Sequence, residues 1–437
     1  MVNELIASAM PFAKGRPARI GLPGGCGCGP MAQIWTSHGM ASESTAEILR
    51  PRRLGGALTF SALFALESFA RSVNATVVSL QAYDLLGSSQ KVSELATLVS
   101  FIVLTISLSS PLLLARVPRR IGYSAGILCL ALASVALALH VLWGQALGMI
   151  LRSAGASLLN ITLSLYIMDH VKRSDLARVE PIRLALSTFS WMLGPALGVM
   201  LYTGQGPWAP QVLSIAASAA LLALFWYLRL HDHSIIRPGK SQQPNPLANV
   251  RRFVSQPRLR LAWLIAFGRS SFWMTFFVYG PLLMVESGLG KLAGGWLISA
   301  SQVLLVGAYL FGRIARRTGV RVVIAGSLAV IAVVSIAAGT AGLARPYLAA
   351  GLLLTGALFA AALDGVGGIP FLRAVKARER PGMAAVYRTY LDISELLPSF
   401  IFALALRYFE IGSVFVILGV FEITVCWVAW RYLPKSL

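Results

Sequence analysis

Seven of the charged side chains inside long apolar stretches of this sequence are candidates for chemistry: Glu67, Arg71, Arg152, Arg269, Asp364, Asp392 and Glu395. A carboxyl can hold and release a proton, and an arginine offers a planar fork of donors to a carboxylate or phosphate. In apolar surroundings such groups are costly, so they face a cavity or a partner. Glu67 and Arg71 are four residues apart and can neutralise each other along one helix face while still lining a cavity. Arg152 has no acid in its own stretch and needs a partner from elsewhere in the fold. Arg269 precedes Ser270 and Ser271, a locally polar patch. Asp364 opens a run containing Gly365, Gly367, Gly368 and Pro370, which weakens a helix. That run suits a bending or gating element, or a close helix crossing. Asp392 and Glu395 lie one turn apart on a face shared with Arg388, so they either pair with it or line a path.

Other chemistries find little support. Cys26 and Cys28 form a two-thiol C-x-C, while Cys129 and Cys426 sit in apolar runs. The five histidines are scattered, so no convergent metal site is expected. No cofactor is expected either. There is no H-E-x-x-H and no G-x-S-x-G, and an enzyme is not expected.

The elements that must position the seven charges follow from composition. Of the 437 residues, 57% are hydrophobic and 13% charged, with a mean hydropathy of +0.72. Soluble domains carry about 45–50% apolar and about 25% charged residues, which excludes a soluble enzyme. From residue 54 onward, apolar segments recur at the length a helix needs to cross a bilayer. Twelve spans are expected: 54–80, 95–115, 121–143, 146–168, 184–202, 211–228, 261–285, 293–311, 322–343, 346–372, 384–406 and 411–430. They must be helical, because lipid-exposed backbone has to satisfy its own hydrogen bonds.

The net charge of +21 suggests nucleic acid at first sight, but the distribution of charge says otherwise. Of 38 Lys and Arg, 31 fall in or beside the loops of one face and four on the other; Arg71, Arg152 and Arg269 lie inside spans. Basic loops mark the cytoplasmic side. An even number of spans with both termini cytoplasmic follows, and no nucleic-acid partner is expected. Residues 1–53 read as a flexible cytoplasmic tail, and residues 1–40 leave the natural start open, since Met31 and Met40 follow. The Pro-rich, basic segment 230–260 reads as a linker between six-span halves at 54–229 and 261–437, with basic residues that can meet lipid headgroups. Arginine outnumbers lysine 31 to 7, which points to a GC-rich genome and a bacterial cytoplasmic membrane.

Five of the embedded charges fall in spans one, four, seven and ten, the first helix of each group of three. A three-helix unit used four times, its first helix lining a central path, produces that pattern. Twelve spans, the six-plus-six division and several motifs resemble the major facilitator superfamily. The stretch from Pro111 to Arg120 matches the family's G-x-L-A-D-R-x-G-R-R at Arg116, Arg119 and Arg120, while Pro111, Ala115 and Pro118 replace its other signature residues. The echo between spans eight and nine keeps Gly312 and Gly319 and again lacks the acid, Arg316 standing in its place. In the family that acid latches the cytoplasmic side, so a different latch is implied here. Arg152 and Gly155 resemble the embedded R-x-x-(Q)-G motif, implying proton coupling or substrate contact for Arg152. Gly194, Pro195 and Gly198 resemble the G-P-x-x-G motif of drug/proton antiporters, with Ser190 where a preceding glycine would stand.

The resemblance implies an all-α, twelve-helix membrane protein in two pseudo-symmetric halves. It implies alternating-access transport of a small organic solute, with export of an amphipathic compound coupled to protons as the leading expectation and Glu67 as proton carrier. Phe60, Phe64, Phe69, Phe272, Trp273 and Phe276 are candidates for an apolar lining. Uptake of a polar or anionic metabolite is the alternative, and an intramembrane enzyme or transport-inactive receptor the third. The expected partners are the solute, the proton and the lipid bilayer, and a monomer is expected.

Overall fold

The computed structural model describes residues 54–114, 117–170, 173–228, 246–375 and 380–434. The tail expected at 1–53, most of the linker, Arg116 and the two N-terminal cysteines lie outside them.

Helices form wherever the apolar stretches predict them. The first span is α1 (Leu54–Ser72) continued by α2 (Asn74–Leu86); α3 (Ser89–Leu114), α4 (Arg119–Ala138), α5 (Leu142–His170), α6 (Arg173–Gln205) and α7 (Ala209–Tyr227) are spans two to six. A short α8 (Pro246–Ser255) precedes the seventh span, α9 (Pro257–Glu286). The eighth is α10 (Lys291–Leu304) with α11 (Gly307–Thr318), and the ninth is α12 (Val320–Ala341). The tenth is α13 (Pro346–Val366) with α14 (Ile369–Ala374), the eleventh α15 (Arg380–Tyr387) with α16 (Thr389–Ala405), and the twelfth α17 (Gly412–Tyr432). Among the described residues, nine of these regions are long and apolar enough to cross a bilayer. The first, eighth and eleventh are divided by breaks at Val73, at Leu305–Val306 and at Arg388.

Local chemistry sets many ends. Proline occupies the first helical position of α9 and α13, where its missing N–H costs nothing. Gly87 closes α2 in the left-handed conformation, its N–H bonding Tyr83 O at 2.7 Å. The break between α13 and α14 falls at Gly367 and Gly368, where the glycines and Pro370 predicted a weak point. Within the segment 230–260, the described part from 246 onward is helical: α8 packs on α15, and Phe253 is buried with Met383 and Tyr387.

Within the first half, Tyr123, Tyr166 and Phe225 form an edge-to-face aromatic core with Leu63 and Phe64. A larger core lies mainly in the second half, around Phe272, Phe276, Leu328, Leu353 and Phe415. Between halves, α6 packs on α10, α3 on α16, and α9 on α2.

Candidate functional site

The first half brings one charged cluster together where span one breaks. Glu67 is fully buried, and its carboxylate meets the Arg71 guanidinium at 3.2 Å. Arg152, from the fourth span, donates through Nη2 to the Arg71 carbonyl at 3.2 Å, two residues before the break at Val73. Its Nε has no hydrogen-bond partner among the described residues. Arg152 as a whole is half-buried.

The second half repeats the arrangement from its own first and fourth spans. Arg269 on α9 meets Asp364 on α13 at 3.0 Å, and both are nearly or fully out of solvent. Arg269 Nη2 also donates to Tyr390 Oη at 2.8 Å, and Trp273 Nε1 donates to Asp364 at 3.1 Å. The polar patch beside Arg269 is real: the Ser270 and Ser394 hydroxyls are 2.7 Å apart. A buried pair of this kind needs such extra hydrogen bonds to offset the loss of water.

One carboxyl of the second half reaches the first half's cluster. Glu395 on α16 interacts electrostatically with Arg152 and Arg71 of the opposite half and with Asp392 below it. Asp392 bonds Ser107 of the second span and interacts with Arg388. Carboxyls of the second half therefore stand within electrostatic reach of cations of the first. Trp191 and Phe277, from opposite halves, make an edge-on contact with their rings 5.8 Å apart.

Of the aromatic candidates, Trp273 touches the charged cluster. Phe272 and Phe276 are fully buried core residues, and Phe64 packs under Arg183, whose guanidinium carbon is 4.4 Å from the ring centroid. The side chain of Phe60 is outside the described set.

The motif glycines act by proximity. A side chain at Gly194 would strike Ser72, and one at Gly198 would strike the Val73 carbonyl, so α6 presses directly on the break in span one. Ser72 Oγ donates to Ser190 O at 2.9 Å in the same crossing. Next to Pro195, the Ala196 amide donates to Ser299 Oγ of the eighth span at 3.0 Å. Gly319 has φ +92° at the end of α11, a conformation glycine adopts without strain. Gly312 stands in open space, and Gly365 faces the Ala308 backbone. Arg120 stacks on Trp226 at 5.2 Å; the side chains of Arg116 and Arg119 are outside the described set.

Two groups escaped the sequence reading. At the arginine-poor face, Lys291 meets Asp84 at 2.6 Å across the halves, and Tyr202 donates to the same carboxylate. Ser93 and Tyr279 add a contact at 2.7 Å. The halves are thus tied together at that face. Glu422, on α17, is fully buried beside Gly268. As a lone charge in an apolar span it carried the same signal as the others. Among the described residues, no group of His, Cys, Asp and Glu is arranged to hold a metal ion.

The sequence profile of the Major Facilitator Superfamily matches residues 60–394. The chain belongs to that superfamily. Its fold is shared with solved transporters at low sequence identity. A POT family transporter in complex with 5-aminolevulinic acid aligns with a TM-score of 0.72 at 11% identity, over 87% of this chain and 96% of that one. A nucleoside transporter gives 0.68 at 12%, over 86% and 99%. A D-xylose–proton symporter gives 0.67 at 12%, over 87% and 98%. No curated protein sequence matches the chain. Membership in the superfamily carries a multi-pass membrane protein, and transport rather than catalysis, as the class of function.

Proposed function

We propose that this superfamily member is a proton-coupled secondary transporter of a small amphipathic organic solute bearing an acidic group. It exports that solute across a bacterial cytoplasmic membrane, with both termini inside. The two six-span halves, 54–229 and 261–437, rock about the path between them while 230–260 links them, and one chain suffices. Glu67 carries the proton, and Arg71 alternates between pairing with it and facing the path. Arg152 receives the solute's anionic group; Trp191, Trp273 and Phe277 receive its apolar part. Asp392 and Glu395 balance the cations when no solute is present. Arg269 and Asp364 hold the second half's cluster. The glycines at 365, 367 and 368, and at 194 and 198 with Pro195, let the helices bend and slide. Arg116, Arg119, Arg120, Gly312 and Gly319 shape the cytoplasmic loops.

The observation that carries this reading is Arg152: a half-buried arginine near the middle of its span, held by one backbone carbonyl, with a free Nε and an opposing carboxyl from the other half. Thermal-shift screening of purified protein tests it. Organic anions should stabilise the wild type and not Arg152→Gln. Stabilisation by organic cations alone overturns the solute class.

Uptake is the second reading. The matched symporter and the tie across the arginine-poor face, which leaves exchange to the opposite side, both accommodate it. Direction is settled by loading solute inside or outside proteoliposomes.

A further inference from the structure

The mechanism above does not use Glu422. Its carboxyl is fully buried, and neither oxygen has a hydrogen-bond partner among the described residues. It sits where α17 crosses α9, against Gly268. A Cβ added at 268 would come within 3.0 and 3.1 Å of the two carboxyl oxygens. The absent side chain of Gly268 is therefore the space the carboxyl occupies. Phe267 and Phe421 close the neighbouring layer edge to face, 5.4 Å apart.

The charged groups around it are all engaged elsewhere or distant along the helices. On α9, Arg269 follows Gly268 but is bound to Asp364 and Tyr390. On α12, the ionisable residue is Arg321, which reaches Trp430 at the helix end. On α16, Asp392 and Glu395 interact with Arg388, Arg152 and Arg71. On α17 itself, Cys426 bonds the Ala325 carbonyl at 3.3 Å, and Arg431 lies in the last turn.

An ionised carboxylate here would be buried without a hydrogen-bond partner among the described residues, and such burial strongly disfavours the charged form. A neutral acid costs far less. We propose that Glu422 is a proton-binding site separate from the central path, holding its proton while α17 is packed on α9. Loss of the proton places an unpaired charge against the Gly268 backbone and separates the two helices. The packing of the last span is thereby sensitive to pH, whether or not transport uses this proton.

Infrared difference spectroscopy of the reconstituted full chain tests this directly. At neutral pH, Glu422→Gln should lose the absorbance of one carboxylic-acid C=O group relative to the wild type, and Glu67→Gln should retain it. The folded state then holds a proton that the unfolded state has released. Its contribution to stability is full at low pH and is lost as pH rises. The wild-type melting temperature should therefore fall towards alkaline pH more steeply than that of Glu422→Gln. An unchanged carboxylic-acid band in Glu422→Gln overturns the assignment. So do parallel pH–stability curves. Glu422→Met guards against failed folding: it is neutral and of similar length, so if neither variant folds at neutral pH, the site requires charge and the assignment is wrong. None of these readouts involves transport, so their failure is distinct from failure of the transport reading.

Discussion

Arg269 and Asp364 show how burial sets the weight of a charge. Both lie almost entirely out of solvent and pair with each other, and Tyr390 and Trp273 add a hydrogen bond to each. Asp364→Asn leaves the arginine uncompensated and should cost about 3–5 kcal/mol, seen as a large drop in melting temperature. Replacing both residues with leucine should recover most of that loss, because an apolar pair of similar volume is tolerated. Arg152 behaves oppositely. It is half-buried and holds one backbone acceptor, so Arg152→Gln should cost only about 1 kcal/mol of stability while removing stabilisation by organic anions. The positions of these residues were legible in the sequence, because a charge in an apolar stretch is conspicuous. Their pairing was not. Arg269 gives no sign in sequence that its acid lies 95 residues away on the tenth span. The Asp84–Lys291 tie was invisible for a similar reason: both residues look like ordinary loop-end charges until the halves are brought together.

At the scale of elements, the crossing of α6 over the break in span one is the tightest constraint on the proposed motion. Gly198 leaves no room beside the Val73 carbonyl. Gly198→Val should either prevent folding or push α6 off the break; in the latter case melting temperature falls and transport stops while surface expression persists. Gly319→Ala acts differently, because what the substitution meets there is backbone strain at φ +92°. It should cost about 1 kcal/mol, measured by thermal unfolding, with transport retained. The helices themselves were readable from apolar length, and the tenth-span break from its glycines. The breaks at Val73, at Leu305–Val306 and at Arg388 were not, since these residues are compatible with a helix. At Val73 tertiary contacts converge on the break, Gly198 pressing on its carbonyl and Arg152 bonding the Arg71 carbonyl.

For the whole molecule, the halves are joined at the arginine-poor face by Asp84, Lys291 and Tyr202, and by Ser93 with Tyr279. Asp84 and Lys291 are partly exposed, and such a pair contributes on the order of 1 kcal/mol. Lys291→Gln should therefore raise opening at this face by about fivefold, read as faster thiol labelling of Ser93→Cys in a background lacking the four native cysteines. Exchanging the two charges, Asp84→Lys with Lys291→Asp, should restore slow labelling. Unchanged labelling in Lys291→Gln would mean that the pair does not hold the halves together.

In the proposed function, Glu67 couples export of the solute to entry of a proton. Proteoliposomes with an imposed pH gradient test it most directly, using an organic anion that stabilises the wild type. Wild-type protein should accumulate the solute in response to the gradient. Glu67→Gln should still exchange solute down its own gradient but lose the response to pH. Full gradient-driven accumulation by Glu67→Gln would contradict the account.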